Sequence, residues 1–134
     1  MNSTKSKTLS LHSSEDIVHV RQTVRTWMVE QRFTLVDQTK MVTATSEVAR
    51  NAVDYAGGGT AQLDLLEESG RIGIRVVVED HGPGLANIEQ AMTDGFTSGQ
   101  GLGLGLGGSK RLVDEFEIWS EPGKGTRVSI TRWK

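Results

Sequence analysis

The feature that most constrains the fold is a change in hydrophobic periodicity near residue 60. Apolar residues recur at helical spacing over residues 41–55, and the three glycines at residues 57–59 end that pattern. Residues 61–65 and 72–78 then place apolar side chains at every second position, with a turn between the two stretches. This alternation predicts an antiparallel hairpin with one buried face. The sequence therefore predicts a long helix followed by a β-sheet.

The first third of the chain carries the start signals of two helices. Ser13 is followed three residues later by Asp16, and Thr34 by Asp37, which is the spacing of a helix-capping box. A short alternating stretch before the first box predicts a strand. Residues 1–6 are expected to be a disordered start.

The rest of the chain predicts two further helices and two further strands. A weak helical pattern lies near residues 88–92, a second helix is expected over about residues 106–115, and strands are expected from residue 117 and over residues 126–133. With the hairpin, this order predicts an α+β fold. We expect a two-layer sandwich in which helices cover one face of a mixed, mainly antiparallel sheet. Residues 7–134 are expected to form a single domain.

Composition excludes several classes of function. The 134 residues carry a formal net charge of −2 and show no dominant basic stripe, so neither a nucleic acid nor a membrane is an expected partner. There is no cysteine, which excludes disulfides, thiolate zinc sites and thiol nucleophiles. No apolar run approaches the roughly 20 residues that span a bilayer, and the polar start lacks the core of a secretory signal. We therefore expect a soluble, cytoplasmic domain.

Glycine and leucine alternate at the start of residues 101–108, directly before a predicted helix. The run contains a G-x-G-x-x-G pattern, which is weak by itself because a dinucleotide-binding fold also needs a strand immediately before it. A P-loop is excluded because the order G-K-S/T is missing. Two interpretations remain, a flexible linker and a phosphate-binding segment whose unhindered backbone N–H groups lead into a helix. The first residues of the run are Gly101, Leu102, Gly103, Leu104 and Gly105.

Glu47 and Asn51 lie four residues apart in the long predicted helix, and therefore on one face of it. An exposed polar face is the plain interpretation of such a pair. The neighbouring residues Val48 and Ala52 have core character, however, so the pair is expected at the edge of the buried stripe. There, a carboxamide oxygen can bind Mg²⁺, and a carboxylate can accept a proton from an attacking hydroxyl group.

Asp80 ends the second strand of the hairpin and is followed by Gly82 and Gly84. An ordinary turn is one interpretation of this D-H-G-P-G sequence. The other is a ligand site, since a buried carboxylate accepts a hydrogen bond from an amino group and offers no donor to a carbonyl. Such a site favours adenine over guanine by roughly 1–3 kcal/mol, because the wrong base leaves buried polar groups unpaired.

The order of these segments is more specific than any one of them. E-V-A-R-N at residues 47–51 is followed by D-H-G-P-G at 80–84, G-L-G-L-G at 101–105 and G-K-G-T at 123–126. This order resembles the four sequence boxes of the GHKL ATP-binding family, which includes gyrase, Hsp90, histidine kinases and the anti-sigma serine kinases. The resemblance covers nearly the whole chain. Within the family, the chain looks most like the small serine kinases of bacterial stress signalling.

The resemblance implies a role for each matching residue. Glu47 matches the catalytic carboxylate and Asn51 the Mg²⁺ ligand, whereas Asp80 matches the adenine-binding aspartate. Thr126 matches the residue that supports the adenine beside that aspartate. The remaining matches bind the nucleotide or shape its site: Gly82 and Gly84 in the aspartate turn, and Gly101, Leu102, Gly103, Leu104 and Gly105 in the phosphate-binding lid.

The resemblance also implies an activity, cofactors and partners. The expected enzyme is a protein-serine/threonine kinase that uses ATP and Mg²⁺, with residues 94–100 as a short lid. Its expected partners are a STAS-domain protein of the stressosome as substrate and a downstream effector such as a PP2C-type phosphatase. Two alternatives remain: an anti-sigma factor kinase that sequesters a sigma factor, and an adaptor that binds ATP without catalysis.

Overall fold

The structure is a computed structural model that describes residues 2–84, 92 and 105–134. Its strands are β1 (Asn2–Leu11), β2 (Gly59–Glu68), β3 (Arg71–Asp80), β4 (Glu115–Glu121) and β5 (Gly125–Trp133). Its helices are α1 (Ser14–Glu30), α2 (Leu35–Ala56) and α3 (Gly105–Arg111).

The strands form one sheet in the order β1-β2-β3-β5-β4. Every neighbouring pair among the described strands is antiparallel. β2 and β3 form the predicted hairpin, in which Glu68 pairs with Arg71 across a tight turn. β5 returns beside β3, which leaves β4 at one edge of the sheet and β1 at the other. The α+β class is confirmed, and the described part of the sheet is antiparallel throughout.

The hydrophobic core lies between one face of the sheet and the helices. Leu63, Val76 and Ile130 stand opposite one another on β2, β3 and β5, and all three are 0% exposed. Because alternate residues of a strand point to opposite faces, this alignment defines the buried face. The same cluster contains the inner stripes of α1 and α2, so the helices cover this face as predicted. The helical members include Ile17, Val20, Val24, Met28, Met41, Ala44 and Val48.

Both long helices begin where local signals predict. The Ser13 hydroxyl accepts a hydrogen bond from the Asp16 N–H at 3.3 Å, and the Thr34 hydroxyl accepts one from the Asp37 N–H at 3.1 Å. Each bond satisfies a backbone donor that the first helical turn leaves unpaired. α2 ends at Ala56 and is capped by Gly57, which adopts the left-handed conformation with a φ of 73°. Among the described residues, no helix combines the length and the apolar character needed to cross a bilayer.

The start of the chain differs from the prediction. Residues 2–6, expected to be disordered, form the first half of β1 and pair with β2. The Ser3 hydroxyl donates to Asp64 Oδ1 at 3.2 Å, and the Thr4 hydroxyl donates to the Leu65 carbonyl at 3.3 Å. These partners are 61 residues away in sequence, so the local composition could not indicate them.

The helix α3 is shorter than predicted. It ends at Arg111, residues 112–114 form a turn, and β4 begins at Glu115, before the position expected for it. The Asp114 N–H donates to the Thr131 carbonyl at 2.9 Å, which continues the pairing between this segment and β5. A non-local hydrogen-bond ladder thus overrides the local helical pattern.

Candidate functional site

Asp80 is the last residue of β3, and its carboxylate is held by two backbone amides. Oδ1 accepts from the Gly82 N–H at 3.0 Å and from the Thr126 N–H at 3.2 Å. The residue is only 7% exposed. Within the described part of the chain, Oδ2 has no hydrogen-bond partner. The result is an oriented, largely buried acceptor with one oxygen available to an N–H donor of a ligand.

Thr126 connects Asp80 to a residue that the sequence patterns did not single out. Thr126 lies opposite Asp80 in the sheet and opposite Ser120 on its other side. The hydroxyl oxygens of Thr126 and Ser120 are 2.8 Å apart, and Ser120 Oγ is 3.2 Å from the Gly125 carbonyl oxygen. Ser120 therefore belongs to the network behind the carboxylate. The register of the last hairpin is the signal that could have identified it.

Two glycines allow the backbone around Asp80 to pack closely. A Cβ atom on Gly82 would lie 2.4 Å from the Cβ of Ala56, so the loop after β3 rests directly on the last turn of α2. Gly125 has a φ of 116°, and a Cβ atom there would lie 2.1 Å from the Asp80 carbonyl oxygen. Any side chain at either position would displace the loop or the strand that orients the carboxylate. Gly84 lies in the same loop, whose Pro83 carbonyl accepts from the Gly123 N–H at 2.8 Å.

Glu47 and Asn51 lie on α2, on the side of the helix away from α1. Glu47 is 5% exposed and Asn51 is half-buried. At 100° per residue, they are rotated by roughly 140–180° around the helix from Val42, which faces α1. Burying a carboxylate is costly unless nearby groups compensate its charge, and the packing of an apolar core does not require one. The catalytic role of Glu47 and the metal-binding role of Asn51 stay predictions.

Part of the predicted site lies outside the described residues. The lid at residues 94–100 and the weak helix near residues 88–92, apart from Met92, belong to this part. Gly105 begins α3, which packs against α2 through the buried Leu106 and neighbouring residues. The phosphate-binding role of the glycine-rich run stays a prediction. The other residues of the run that fall outside are Gly101, Leu102, Gly103 and Leu104.

The donor groups of this region suit Mg²⁺ held together with a nucleotide. In the described ranges, no group of three or more His, Asp or Glu side chains could hold a metal ion by itself. Mg²⁺ commonly takes only one or two protein ligands and fills its remaining positions with water and phosphate oxygens. The half-buried Asn51 carboxamide oxygen fits that requirement, one helical turn from Glu47.

Comparison with known proteins places the chain in a family. Residues 36–134 match the family described as histidine kinase-, DNA gyrase B- and HSP90-like ATPase. Serine/threonine-protein kinase RsbT of Bacillus subtilis (strain 168) is 43% identical over 118 residues, which cover 88% of this chain and 89% of that protein. The anti-sigma F factor of Clostridium acetobutylicum is 32% identical over 130 residues, covering 91% of this chain and 88% of that protein.

The fold of the chain agrees with that of a solved structure. The RsbU and RsbW domains of Rv1364c from Mycobacterium tuberculosis align with 98% of this chain at a TM-score of 0.65 and 22% identity. The chain spans 33% of the length of that structure's chain. The family expected from the four ordered segments is confirmed: the chain belongs to the histidine kinase-, DNA gyrase B- and HSP90-like ATPase family, and its similarity to RsbT identifies it as a serine/threonine-protein kinase of that family.

Proposed function

We propose that this protein is an ATP- and Mg²⁺-dependent kinase that acts as a signalling switch by phosphorylating STAS-domain proteins. The observation that carries the proposal is the Asp80 carboxylate. Its Oδ1 accepts hydrogen bonds from two backbone amides, whereas Oδ2 has no hydrogen-bond partner among the described residues and is available to a ligand. That geometry selects a base with an amino group at the contacted position, as adenine has.

The adenine contact uses a carboxylate whose orientation does not depend on the ligand. Asp80 Oδ2 accepts a hydrogen bond from the exocyclic amino group of adenine, while Thr126 supports the base beside it. Guanine presents a carbonyl oxygen at the equivalent position, and two acceptors facing each other cannot form a hydrogen bond. The unpaired groups disfavour guanine by roughly 1–3 kcal/mol.

The metal and phosphate contacts lie toward α2 and the glycine-rich run. Asn51 would hold Mg²⁺, which would supply positive charge beside the phosphates. Gly101, Gly103 and Gly105, with Leu102 and Leu104 between them, bring backbone N–H groups to the phosphate oxygens. Gly82 and Gly84 shape the loop that closes the adenine end.

Glu47 is the residue that makes the site catalytic. Its carboxylate accepts the proton of a serine or threonine hydroxyl as that oxygen bonds to the γ-phosphorus and the bond to the leaving oxygen of ADP breaks. A carboxylate on a rigid helix is positioned without a large entropy cost at the moment of transfer. An adaptor that only binds ATP has no need of this group.

The partner follows from the similarity to RsbT. The substrate is a STAS-domain protein of the RsbS or RsbR kind, and once released from it the kinase activates a downstream effector such as a PP2C-type phosphatase in the cytoplasm. One other candidate has a specific observation in its favour. The 32% identity to an anti-sigma F factor favours a kinase that sequesters a sigma factor and phosphorylates an anti-anti-sigma STAS protein.

The test is a phosphotransfer assay with γ-labelled ATP, Mg²⁺ and purified STAS-domain proteins from the same organism. Label on a serine or threonine of a STAS protein is the expected result. Glu47→Gln, which preserves the size of the side chain, should bind ATP but transfer no label. A complex with a sigma factor that survives gel filtration would favour the anti-sigma candidate. ATP binding without transfer to any STAS protein would contradict the kinase proposal and leave the adaptor.

A further inference from the structure

The helices cover one face of the sheet, and the other face carries a cavity. Short side chains form its centre, where Val77 on β3 pairs with Ser129 on β5. Longer side chains surround them and enclose about 360 Å³, which we call the outer-face cavity. This volume is large enough for one small molecule. Its charged lining residues are Asp64, Arg75, Glu115, Glu117 and Arg127.

One side of the outer-face cavity is built from groups that the protein already holds in place. The Asp64 carboxylate is 7% exposed and accepts hydrogen bonds from the Ser3 hydroxyl and from Gln62 Nε2, both at 3.2 Å. On the neighbouring strand, Arg75 Nε donates to the buried Thr131 Oγ1 at 3.4 Å. The Asp64 and Arg75 side chains are therefore oriented by the protein itself.

Two charged groups of the lining differ from the rest. Glu115 resembles Asp64 in having a partner, because its Oε2 accepts from the Trp133 indole N–H at 2.6 Å. The exposed side chains of Glu117 and Arg127, in contrast, form no hydrogen bond or ion pair with any residue that the structure describes. Single solvated charges are normal on a protein surface. These two line the same cavity, which therefore presents one unpaired negative group and one unpaired positive group.

An exposed aromatic ring lies beside the two unpaired charges. Glu117 stands opposite Ser129, two residues after Arg127, so the two charged residues are diagonal neighbours across β4 and β5. Diagonal neighbours are roughly 7–8 Å apart, a span that one small molecule can bridge. Trp119 stands opposite Arg127 and is 50% exposed. A smaller recess of about 70 Å³ shares Glu117, Arg127 and Ser129 with the outer-face cavity and adds Trp119.

The outer-face cavity is separate from the candidate nucleotide site. Arg127 follows Thr126 directly, and alternate residues of a strand point to opposite faces of the sheet. Thr126 and the carboxylate of Asp80 lie on the side where Ser120 joins their network, whereas Arg127 lies on the other side. An occupant of the cavity therefore leaves the nucleotide contacts free.

We infer that the outer-face cavity binds a free aromatic α-amino acid. The ammonium group of the ligand pairs with Glu117 and its carboxylate with Arg127, so each unpaired charge of the cavity receives a partner. The ring of the ligand packs on Trp119, since aromatic pairs are favourable at centroid distances of about 4.5–7 Å. A ligand with only negative charge would be repelled by the three carboxylates of the lining, and one with only positive charge by the two guanidinium groups.

The experiment uses the full chain and 4-fluoro-L-phenylalanine, whose binding is followed by the width of its fluorine NMR line. The Kd should be about 0.1–1 mM, as suits a ligand of this size. Two analogues test the charges: the N-acetyl derivative lacks the positive group and the carboxamide lacks the negative one. Each should bind at least about tenfold more weakly, because each leaves one charged group of the cavity unpaired. Absence of binding, or equal affinity for the amino acid and either analogue, would overturn the proposal.

Substitutions of the two unpaired residues locate the binding. In Arg127→Gln the amino acid and its carboxamide should bind equally weakly, because the carboxylate has lost its partner. In Glu117→Gln the same should hold for the amino acid and its N-acetyl derivative. Lys7→Gln is the control, since Lys7 is exposed and pairs with Leu63 on the helix-covered face; it should leave all affinities unchanged. Wild-type affinity for the amino acid in both cavity variants would place the ligand elsewhere and defeat the proposal.

Two further measurements separate this inference from the proposed function and from self-association. ATP affinity should be the same in Arg127→Gln, Glu117→Gln and the wild type, because both side chains lie on the face away from the nucleotide contacts. Binding of the amino acid is measured without ATP, so failure of the kinase proposal would leave this result standing. Sedimentation analysis asks whether a second copy of this chain supplies the missing charges. A dimer that Arg127→Gln dissociates would overturn the proposal.

Discussion

Asp37 is partly buried and Asp80 is buried, and the two carboxylates have different hydrogen-bond donors around them. Asp37, in the first turn of α2, receives hydrogen bonds from Arg132 Nε at 3.1 Å and also from Arg132 Nη2. Among the described residues, Asp80 receives hydrogen bonds from two backbone amides, both on Oδ1. A carboxylate neutralised by a guanidinium ties two elements together and has little left to offer a ligand. A carboxylate that is oriented but left with an open oxygen is available for binding.

The comparison extends to the chain elements involved. Arg132 lies near the end of β5, and its Nη1 also donates to the Leu112 carbonyl at 2.9 Å, so the Asp37 pair closes α2 onto the end of the sheet. Asp80 lies at the opposite end of that strand pairing, where Thr126 stands across from it. An ion pair between Asp37 and Arg132 thus links α2 to one end of the sheet, and the other end presents the Asp80 carboxylate as a hydrogen-bond acceptor. The following predictions test that division.

The largest expected effect is a loss of phosphotransfer when a third carboxylate, that of Glu47, is removed. Glu47→Ala should lower kcat for phosphotransfer by about 10²- to 10⁴-fold, the usual contribution of a general base. ATP affinity should be close to that of the wild type, because the proposed adenine contact lies on another element. Single-turnover transfer and equilibrium ATP binding measure the two quantities separately. Transfer at the wild-type rate would show that the base lies elsewhere.

Asp80→Asn tests the open oxygen directly. The variant retains the shape of the side chain but loses the charge, and ATP affinity should fall by about 10- to 100-fold, equivalent to 1–3 kcal/mol. Calorimetric titrations with ATP and with GTP should also show a smaller preference for ATP. Glu79→Gln, one residue earlier and half exposed, is the matched control and should leave both affinities unchanged. An Asp80→Asn variant that binds ATP normally would end the adenine assignment.

Asp37→Asn, in contrast, should lower the stability of the fold without changing ATP affinity. Loss of the charged pair with Arg132 should lower the free energy of unfolding by about 1–3 kcal/mol, measured by urea denaturation. ATP affinity should be unchanged when measured in buffer where the variant is fully folded. Normal stability together with weak ATP binding in this variant would contradict the assignment of Asp37 to stability and of Asp80 to ligand binding.

The pH dependence of stability should follow from the same pair. The hydrogen bond from Arg132 holds the pKa of Asp37 below its ordinary value of 3.8. The unfolded chain therefore binds the proton first as pH falls, and the stabilisation is fully present above the unfolded pKa. It is lost as pH falls through the lowered folded pKa. The difference in unfolding free energy between wild type and Asp37→Asn should accordingly shrink in acid, and a difference independent of pH down to complete protonation would contradict this account.

The smallest expected effect concerns Ser120. Ser120→Ala removes one hydroxyl from the network behind Asp80 and should weaken ATP binding by about 0.5–1.5 kcal/mol, a two- to tenfold change. Ser129→Ala on β5 is the control, because that side chain belongs to the other face of the sheet. Equal effects of the two substitutions on ATP affinity would show that the Ser120 hydroxyl makes no specific contribution to ATP binding.

Much of the fold could be predicted because its signals are local. The caps at Ser13 and Thr34, the left-handed Gly57 and the hairpin from residue 59 to residue 80 each depend on groups within a few residues of one another. Their hydrogen bonds form within one turn of helix or across one tight turn. The spacing of side chains along the chain is sufficient to specify such contacts.

The candidate site was only partly predictable for the same reason. The order of the sequence segments pointed to Asp80 and Thr126, and the structure shows them joined by a hydrogen bond between elements 46 residues apart. Ser120 carried no motif, because its place depends on the register between β4 and β5. The roles of Glu47 and Asn51 remain predictions, as does the role of the glycine-rich run.

The sequence by itself determined the helix boundaries set by caps, the central hairpin, the order of elements and the family. Only the tertiary structure decided that β1 begins at Asn2, that α3 ends at Arg111 and that Asp80 keeps one oxygen open among the described residues. Each of these features depends on partners far apart in the chain. Hydrophobic spacing reports which face of an element is buried, whereas the neighbour that buries it is chosen when the elements pack.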